Sequence, residues 1–232
     1  MESRLSASES VELESRRYFR YVLRMTTKHN SIIANSAKIE LKALGFHQKG
    51  RSRLWVADHQ SWLNVVEFTP DRWTKAVSLM NAAHWLWAGT GFLAFHEALP
   101  SRQHAEFEAG EQFTVAMTKI AQEAASKAEE IQERFSSFES AAAFLVDRAR
   151  SSPDRMQPSW WGYQAGIAAG LLGDFGVAKT FLSGITDERV IGHAIPLLGL
   201  VGNPANFRNR VNELVVQQRK ALDLAALEQP PF

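Results

Sequence analysis

Seven apolar residues recur along one face of residues 113–135, and this stripe constrains the fold more than any other feature of the chain. The steps between them are 4, 3, 4, 4, 3 and 4 residues, a spacing that keeps side chains on one face of an α-helix. The sequence therefore predicts a long amphipathic helix here. The stripe consists of Phe113, Met117, Ile120, Ala124, Ala128, Ile131 and Phe135.

Further helices are predicted on both sides of this stripe, from apolar spacing and from residues that begin or end helices. Ser136 or Ser137, followed by Glu139 or Ser140, is a suitable start for the helix after the stripe. Asn203 with the proline behind it is a suitable start for the last helix. Gly45 is a suitable C-terminal cap because glycine accepts the left-handed conformation. The predicted helices begin near residue 10 and then cover about 31–44, 136–150, 160–172, 175–185, 188–201 and 204–227.

The segment between residues 53 and 91 has a different composition, rich in aromatic and β-branched residues. Arg53–Asp58 and Ser61–Thr69 predict a β-hairpin. Ala76–Trp87 fits either a strand or a helix, and we favour a strand because its Trp-Leu-Trp run suits a pleated surface. The predicted class is α+β: a small antiparallel sheet with N-terminal helices over residues 1–103, and a helical part over residues 104–232. The helical part is expected to be a bundle or a short helical-repeat-like array, and the two parts are expected to pack closely. Pro100–Gln103 is interpreted as a short joint between them.

Composition limits the compartment and the chemistry. The chain contains no cysteine, which excludes disulfides, thiolate metal sites and thiol nucleophiles and is typical of a reducing compartment. Residues 1–14 are polar and acidic and lack the apolar core of a signal peptide. No apolar run approaches the roughly 20 residues that span a bilayer. We therefore expect a cytoplasmic protein with no membrane partner.

Charge is balanced overall but unevenly distributed. The formal net charge is +1, so it predicts neither nucleic-acid nor membrane binding. Residues 1–53 contain eleven Lys/Arg and five Asp/Glu, a net charge of +6, and residues 106–139 contain three Lys/Arg and eight Asp/Glu, a net charge of −5. Two such regions either meet oppositely charged partners or form solvated helix faces.

Tryptophan is concentrated in the predicted sheet. Five of the seven tryptophans fall between Trp55 and Trp87, and tryptophan and arginine are the side chains that most often dominate binding at protein interfaces. Trp55, Trp62, Arg72 and Trp73 are therefore candidates for a protein-binding surface. The alternative is that the tryptophans fill the space between the sheet and the helices.

Several short motifs in the same region resemble those of a known family. Residues 39–50 read Ile-Glu-Leu-Lys-Ala-Leu-Gly-Phe-His-Gln-Lys-Gly, and they are followed by the Val-Val-Glu-Phe, Met-Asn and Trp-Leu-Trp motifs at residues 65–68, 80–81 and 85–87. With these motifs, residues 39–99 resemble an uncharacterised bacterial family, the domain of unknown function numbered forty-three-oh-four. The resemblance implies an α+β sheet without established catalytic residues, and some relatives resemble immunity-type proteins from toxin neighbourhoods.

A second, shorter resemblance lies in the helical part. Residues 160–185 resemble one tetratricopeptide-type helix hairpin, in which small residues such as Gly166 and Gly170 let two helices approach closely. Such hairpins bind peptides when several are stacked. This is a pointer to protein interaction.

Two alternative functions remain open from the residues. The first is an enzyme or nucleic-acid processor with a dispersed site that uses Asp58, Glu67 or Asp71 and nearby histidines. The histidines lack the His-x-x-x-His and His-Glu-x-x-His spacings of metal sites, so neither a metal nor another cofactor is predicted. The histidines in question are His47, His59, His84, His96 and His104.

The second alternative is nucleic-acid binding. Lys42, Lys49, Arg51 and Arg53 are interleaved with aromatic residues, and such segments can bind phosphates while stacking bases. No recognised nucleic-acid motif accompanies them, so a solvated turn is the preferred interpretation.

The leading hypothesis is a non-enzymatic protein-binding module. The tryptophan cluster, the oppositely charged regions and the absence of catalytic signatures such as Gly-x-Ser-x-Gly favour it. The role that fits best is an immunity-type or accessory subunit of a bacterial multi-protein system. The expected partner is another protein or a second copy of the chain.

Overall fold

The computed structural model describes residues 28–71, 74 and 76–232. The helix predicted to begin near residue 10 lies outside these residues, and so do Arg72 and Trp73. The described helices are α1 (28–41), α2 (Gly110–Arg134), α3 (Phe138–Ser151), α4 (Pro153–Met156), α5 (Trp160–Leu171), α6 (Phe175–Ser183), α7 (Glu188–Leu198) and α8 (Pro204–Ala221). The strands are β1 (His47–Gln48), β2 (Leu54–Asp58), β3 (Trp62–Pro70), β4 (Val77–Trp85) and β5 (Glu97–Ala105).

The five strands form one antiparallel sheet in the order β1-β2-β3-β4-β5, so each strand pairs with its neighbour in the sequence. The α+β class is thus confirmed, and so is the hairpin of β2 and β3. The strand preferred for Ala76–Trp87 is also confirmed as β4, which gives way to a 3-10 helix at Leu86–Ala88.

The joint predicted at Pro100–Gln103 was wrong, because these residues lie within the edge strand β5. Proline is tolerated on an edge strand, where only one side of the backbone needs hydrogen-bond partners. The other side chains of this stretch are polar and gave no apolar alternation. Edge strands of this kind carry little signal in a sequence.

The apolar stripe is confirmed as the buried face of α2. All seven of its residues are at most 3 % exposed. The next helix, α3, begins with a capping box, in which the Ser137 hydroxyl accepts from the Ser140 amide at 3.1 Å and the Ser140 hydroxyl accepts from the Ser137 amide. Asn203 caps α8 by accepting from the Asn206 amide. Both caps are of the predicted type.

The chain forms two compact units. The first, unit 1, contains the described residues up to Trp55 together with Val66–Met80 and Pro100–Ser126, and the second, unit 2, contains Val56–Val65, Asn81–Leu99 and Lys127–Phe232. In unit 1, the buried His29 ring stacks on Phe113 with the ring centroids 4.7 Å apart.

Glycines allow close approach of the helices in unit 2: Gly166 faces Leu182 of α6, as predicted for the hairpin, whereas Gly170 faces α8. Helices α5 and α6 are joined by Gly173, which has a φ of 88°, and Asp174 caps α6. A Cβ atom at Gly170 would lie 2.5 Å from the Phe207 ring of α8. This distance is too short for any side chain larger than hydrogen, so the helix spacing depends on glycine.

None of the helices in the described part of the chain combines the length and the apolar character needed to cross a bilayer.

Candidate functional site

Aromatic side chains of unit 2 line a cavity of about 520 Å³. We call it the aromatic cavity. Its walls come from the start of β3, the end of β4 with the following 3-10 helix, the end of α2 and the start of α3. The apolar lining consists of Trp62, Trp85, Trp87, Phe135, Phe138 and Ala141, and the polar lining of Asp58, His59, Gln60, Ser61, Gln132, Ser136 and Ser137.

Trp85 holds the aromatic wall together. Its ring stacks on Trp87 at a centroid distance of 5.7 Å, meets Phe135 edge-on at 5.0 Å and lies tilted against Trp62 at 6.0 Å. These are favoured geometries for aromatic pairs. Trp85 is 1 % exposed and Trp62 is 8 % exposed, so the rings are fixed by packing before any ligand arrives.

Two polar atoms in the lining of the cavity have no hydrogen-bond partner in the described structure. They are the indole nitrogen of Trp85 and Nε2 of His59, and both are buried. The His59 ring stacks on Trp62 at 4.3 Å, and burial lowers the pKa of this imidazole. Buried polar groups normally have partners, so each of these two atoms can still take a hydrogen-bond partner.

The rim of the cavity is held by an arginine from α8. Arg219 donates to both carboxylate oxygens of Asp58, at 2.9 and 2.6 Å, and to the carbonyl oxygens of Gln60 and Ala225. Arg219 is 4 % exposed, so its charge depends on these partners. Burial alone would raise the pKa of the Asp58 carboxyl, but hydrogen bonds from Arg219 and from the Gln60 amide lower it below its ordinary value.

The turn between β2 and β3 is shaped by the same contacts. Gln60 has a positive φ of 67°, which only a few non-glycine residues adopt. Its amide donates to Asp58 Oδ1 at 2.9 Å. Asp58 thus stabilises the turn through the Gln60 amide and also pairs with Arg219. Its carboxylate therefore has a structural role at the rim of the cavity.

A second cavity, of about 340 Å³, lies in unit 1, and we call it the polar cavity. Arg53 donates through Nη2 to Asn30 Oδ1 at 2.6 Å and to His29 Nδ1 at 3.3 Å. Its Nη1 is buried without a partner, and so is the indole nitrogen of Trp55. The cavity is lined by Asn30, Ile33, Ala34, Gln48, Arg51, Ser52, Arg53, Trp55 and Glu67.

The candidate protein-binding tryptophans therefore line two different cavities. Trp62 belongs to the aromatic cavity of unit 2, and Trp55 belongs to the polar cavity of unit 1. The other two candidates of this set, Arg72 and Trp73, lie outside the described residues.

The four candidate nucleic-acid-binding cations do not share one surface feature. Arg51 and Arg53 line the polar cavity, whereas Lys42 lies in an exposed 3-10 helix beside Lys38 and Ile39. Lys49 is half-buried.

The carboxylates and histidines of the dispersed-site hypothesis are also distributed. Asp58 and His59 line the aromatic cavity, Glu67 lines the polar cavity, and Asp71 Oδ1 accepts from the Thr74 amide in a turn. His47 and His104 are exposed. Within residues 28–71, 74 and 76–232, no three His, Asp or Glu side chains are grouped so that they could hold a metal ion.

His84 and His96 form a buried stacked pair in unit 2, with ring centroids 4.7 Å apart. His84 Nε2 faces the side-chain amide of Gln218 at 3.1 Å, and its Nδ1 lies 2.9 Å from the carbonyl oxygen of Ala94. His96 Nδ1 accepts from the Trp85 amide. Burial lowers the pKa of His84 to about 4 and the pKa of His96 well below its ordinary value, so both rings are neutral.

Sequence reasoning did not find Arg219, because its partner Asp58 is 161 residues away. A signal was nevertheless present. Val211, Leu214 and Val215 form the buried face of α8, and Arg219 continues this face one turn further on. A charged residue at an apolar position of a helix indicates a buried ion pair or a site, and here it marks the rim of the aromatic cavity.

No family model matches the chain, and neither a curated protein nor a solved structure matches it.

Proposed function

We propose that this protein is a non-enzymatic protein-binding module and that the aromatic cavity receives an aromatic side chain of the partner. The observation that supports this most is the convergence of Trp62, Trp85, Trp87 and Phe135 on a cavity of about 520 Å³. An immunity-type or accessory role in a bacterial multi-protein system remains the biological setting that we propose.

The lining favours an aromatic anchor over other ligands. The faces and edges of indole rings bind another aromatic ring through stacked or edge-on contacts, each contributing about 0.5–1.5 kcal/mol beyond the burial of area. A volume of about 520 Å³ exceeds what one methyl or isopropyl group would fill. The polar rim of Gln132, Ser136 and Ser137 surrounds this apolar floor, as polar residues surround the anchors of protein interfaces.

The unpaired indole nitrogen of Trp85 determines how the aromatic side chain of the partner should be oriented in the cavity. An indole N–H is a donor only, so the incoming group should place an oxygen close to it. A tyrosine hydroxyl or a backbone carbonyl of the partner provides such an acceptor. Tyrosine combines the ring and the oxygen in one side chain, and it is therefore the anchor that we expect.

The titratable groups of the cavity favour binding over proton transfer. The Asp58 carboxylate is paired with a buried arginine, which stabilises its charged form. The pKa of His59 is lowered by burial. A general base needs a free acceptor whose pKa lies near the working pH, and the Asp58 carboxylate is not free because both of its oxygens accept from Arg219.

The test uses two tryptophan substitutions on neighbouring surface positions of α2. Gln132 and Glu133 are both exposed, but only Gln132 lines the cavity. Gln132→Trp should occupy the cavity from its rim, and Glu133→Trp is the matched control. The probes are N-acetyl-tyrosinamide and N-acetyl-alaninamide, followed by the indole N–H signals in two-dimensional NMR.

We expect the tyrosine probe to shift indole signals of the wild type and of Glu133→Trp, and to leave Gln132→Trp unchanged. Capture from the native host should follow the same order, with a partner retained by Glu133→Trp and lost by Gln132→Trp. Equal behaviour of the two variants in both assays, or shifts caused equally by the alanine probe, would count against the proposal.

A further inference from the structure

The polar cavity of unit 1 contains both signs of charge. Arg51 and Arg53 line it together with Glu67. No ion pair joins either arginine to Glu67 in the described structure, although all three side chains line the same cavity of about 340 Å³. Because the arginines and the carboxylate do not pair with each other, a ligand can bind to the cations and to the carboxylate.

Arg53 is the clearest indication that something is missing. Its Nη2 lies within hydrogen-bond distance of Asn30 Oδ1 and His29 Nδ1, while Nη1 is buried without a partner. Burial also lowers the pKa of this guanidinium. A half-buried cation without an anion is costly, and a carboxylate is the group that the fork of a guanidinium binds best.

Trp55 provides a second donor in the same cavity. It is 4 % exposed, and its indole nitrogen has no hydrogen-bond partner among the described residues. A buried indole N–H usually has an acceptor. Two unpaired buried donors, on Arg53 and Trp55, therefore point to an acceptor in the ligand.

Glu67 limits what else the ligand can carry. The side chain is half-buried in the cavity lining, and a purely anionic ligand would meet its negative charge. A purely cationic ligand would meet the two arginines. Only a molecule with separate negative and positive groups pairs with the arginines and with Glu67 at the same time. The like charge in the cavity repels a ligand that carries one sign of charge only.

We propose that the polar cavity binds a small zwitterion of the α-amino acid class. Its carboxylate accepts from Arg53 and Trp55 and is attracted by the charge of Arg51 at the rim, and its ammonium group donates to Glu67. The volume of about 340 Å³ lies at the lower end of the range of small-molecule sites, roughly 300–1,000 Å³. This inference concerns unit 1 and is independent of the function proposed for unit 2.

The test covers all the common amino acids, because the charged groups of the cavity select the zwitterion and not its side chain. The full-length protein is titrated calorimetrically with each amino acid, and then with two analogues of the one that binds best. One analogue lacks the ammonium group and the other lacks the carboxylate. We expect the complete zwitterion to bind at least about tenfold more tightly than either analogue, because each loses a charge-assisted hydrogen bond.

Two substitutions separate the roles of the charges, and a third is the control. Glu67→Gln should remove the preference for the zwitterion over the analogue without the ammonium group. Arg51→Gln, at an exposed position of the rim, should weaken all ligands that carry a carboxylate. Lys42→Gln changes an exposed cation outside the cavity and should leave every affinity unchanged.

Three results would overturn the proposal. The first is no binding of any zwitterion at millimolar concentration. The second is equal affinity for the zwitterion and for the analogue without the ammonium group, which would show a simple anion site. The third is an effect of Lys42→Gln as large as that of Arg51→Gln, which would indicate binding by overall charge.

Discussion

The ion pair between Asp58 and Arg219 predicts an unusual response to removing an exposed side chain. The Asp58 side chain is 27 % exposed, whereas that of Arg219 is 4 % exposed. Asp58→Ala removes both charge-assisted bonds and leaves the guanidinium buried with only the carbonyl oxygens of Gln60 and Ala225. Most of the cost therefore arises at the buried partner, and a smaller part comes from the lost bond between the Gln60 amide and Asp58 in the turn.

The size of the effect follows from the partners that remain. An uncompensated buried charge costs about 3–5 kcal/mol, and the two retained carbonyl acceptors place the expected loss near the lower limit, at about 3 kcal/mol. Arg219→Met should lower the free energy of unfolding by about 2 kcal/mol. The exposed carboxylate of Asp58 can then be hydrated, whereas the carbonyl oxygens of Gln60 and Ala225 lose their donor. The double variant should cost less than the sum, since it contains no buried charge.

The assay is unfolding in urea, followed by tryptophan fluorescence, with free energies taken from the midpoints and slopes. The control is Glu130→Ala, which breaks the Glu130–Arg134 pair between two well-exposed side chains of α2. It should change the free energy of unfolding by less than about 0.5 kcal/mol. The reasoning fails if Asp58→Ala is as mild as this control, or if the two single effects add fully in the double variant.

Two further predictions concern unit 2. The pKa of His84 is about 4 in the folded protein against an ordinary value of 6.5, so its contribution to stability is complete above pH 6.5 and is lost as the pH falls towards 4, by about 3 kcal/mol. Urea midpoints at pH 7 and about 4.5 should show this loss in the wild type and a smaller loss in His84→Gln. Equal losses in the two proteins would contradict the prediction. Gly170→Ala should destabilise by about 1–3 kcal/mol, because its Cβ would meet the Phe207 ring. Gly192→Ala, in the open middle of α7, should raise the melting temperature slightly, and the same sign for both glycines would refute the argument.

The fold could be predicted from the sequence where a periodic pattern and a terminal signal agreed. The stripe from Phe113 to Phe135 has both a helical period and a clear end, where Ser137 begins the next helix. The pattern of β4 was ambiguous, but its aromatic residues favoured the strand that is observed. Strand β5 was missed because a polar edge strand with a proline has neither a periodic apolar pattern nor a clear signal at its ends.

The candidate sites were only partly predictable. Trp55 and Trp62 were identified by residue type, and each lines a cavity. The sequence could not indicate that Phe135 joins Trp62 at one cavity or that Arg219 pairs with Asp58 beside it, because these contacts depend on tertiary packing between distant segments. Hydrophobic patterns report which face of an element is buried, and they do not report what lies opposite.

The edges of the sheet have a consequence for how this protein can recognise others. At one edge β1 has only two residues, and at the other edge β5 contains Pro100, which has no backbone N–H to donate. The short strand β1 and the proline in β5 both make it unfavourable for a strand of another protein to extend the sheet. Recognition by strand addition, and edge-to-edge aggregation with it, is thereby disfavoured. In the functions that we propose, selectivity comes from the side chains that line the two cavities and not from strand pairing.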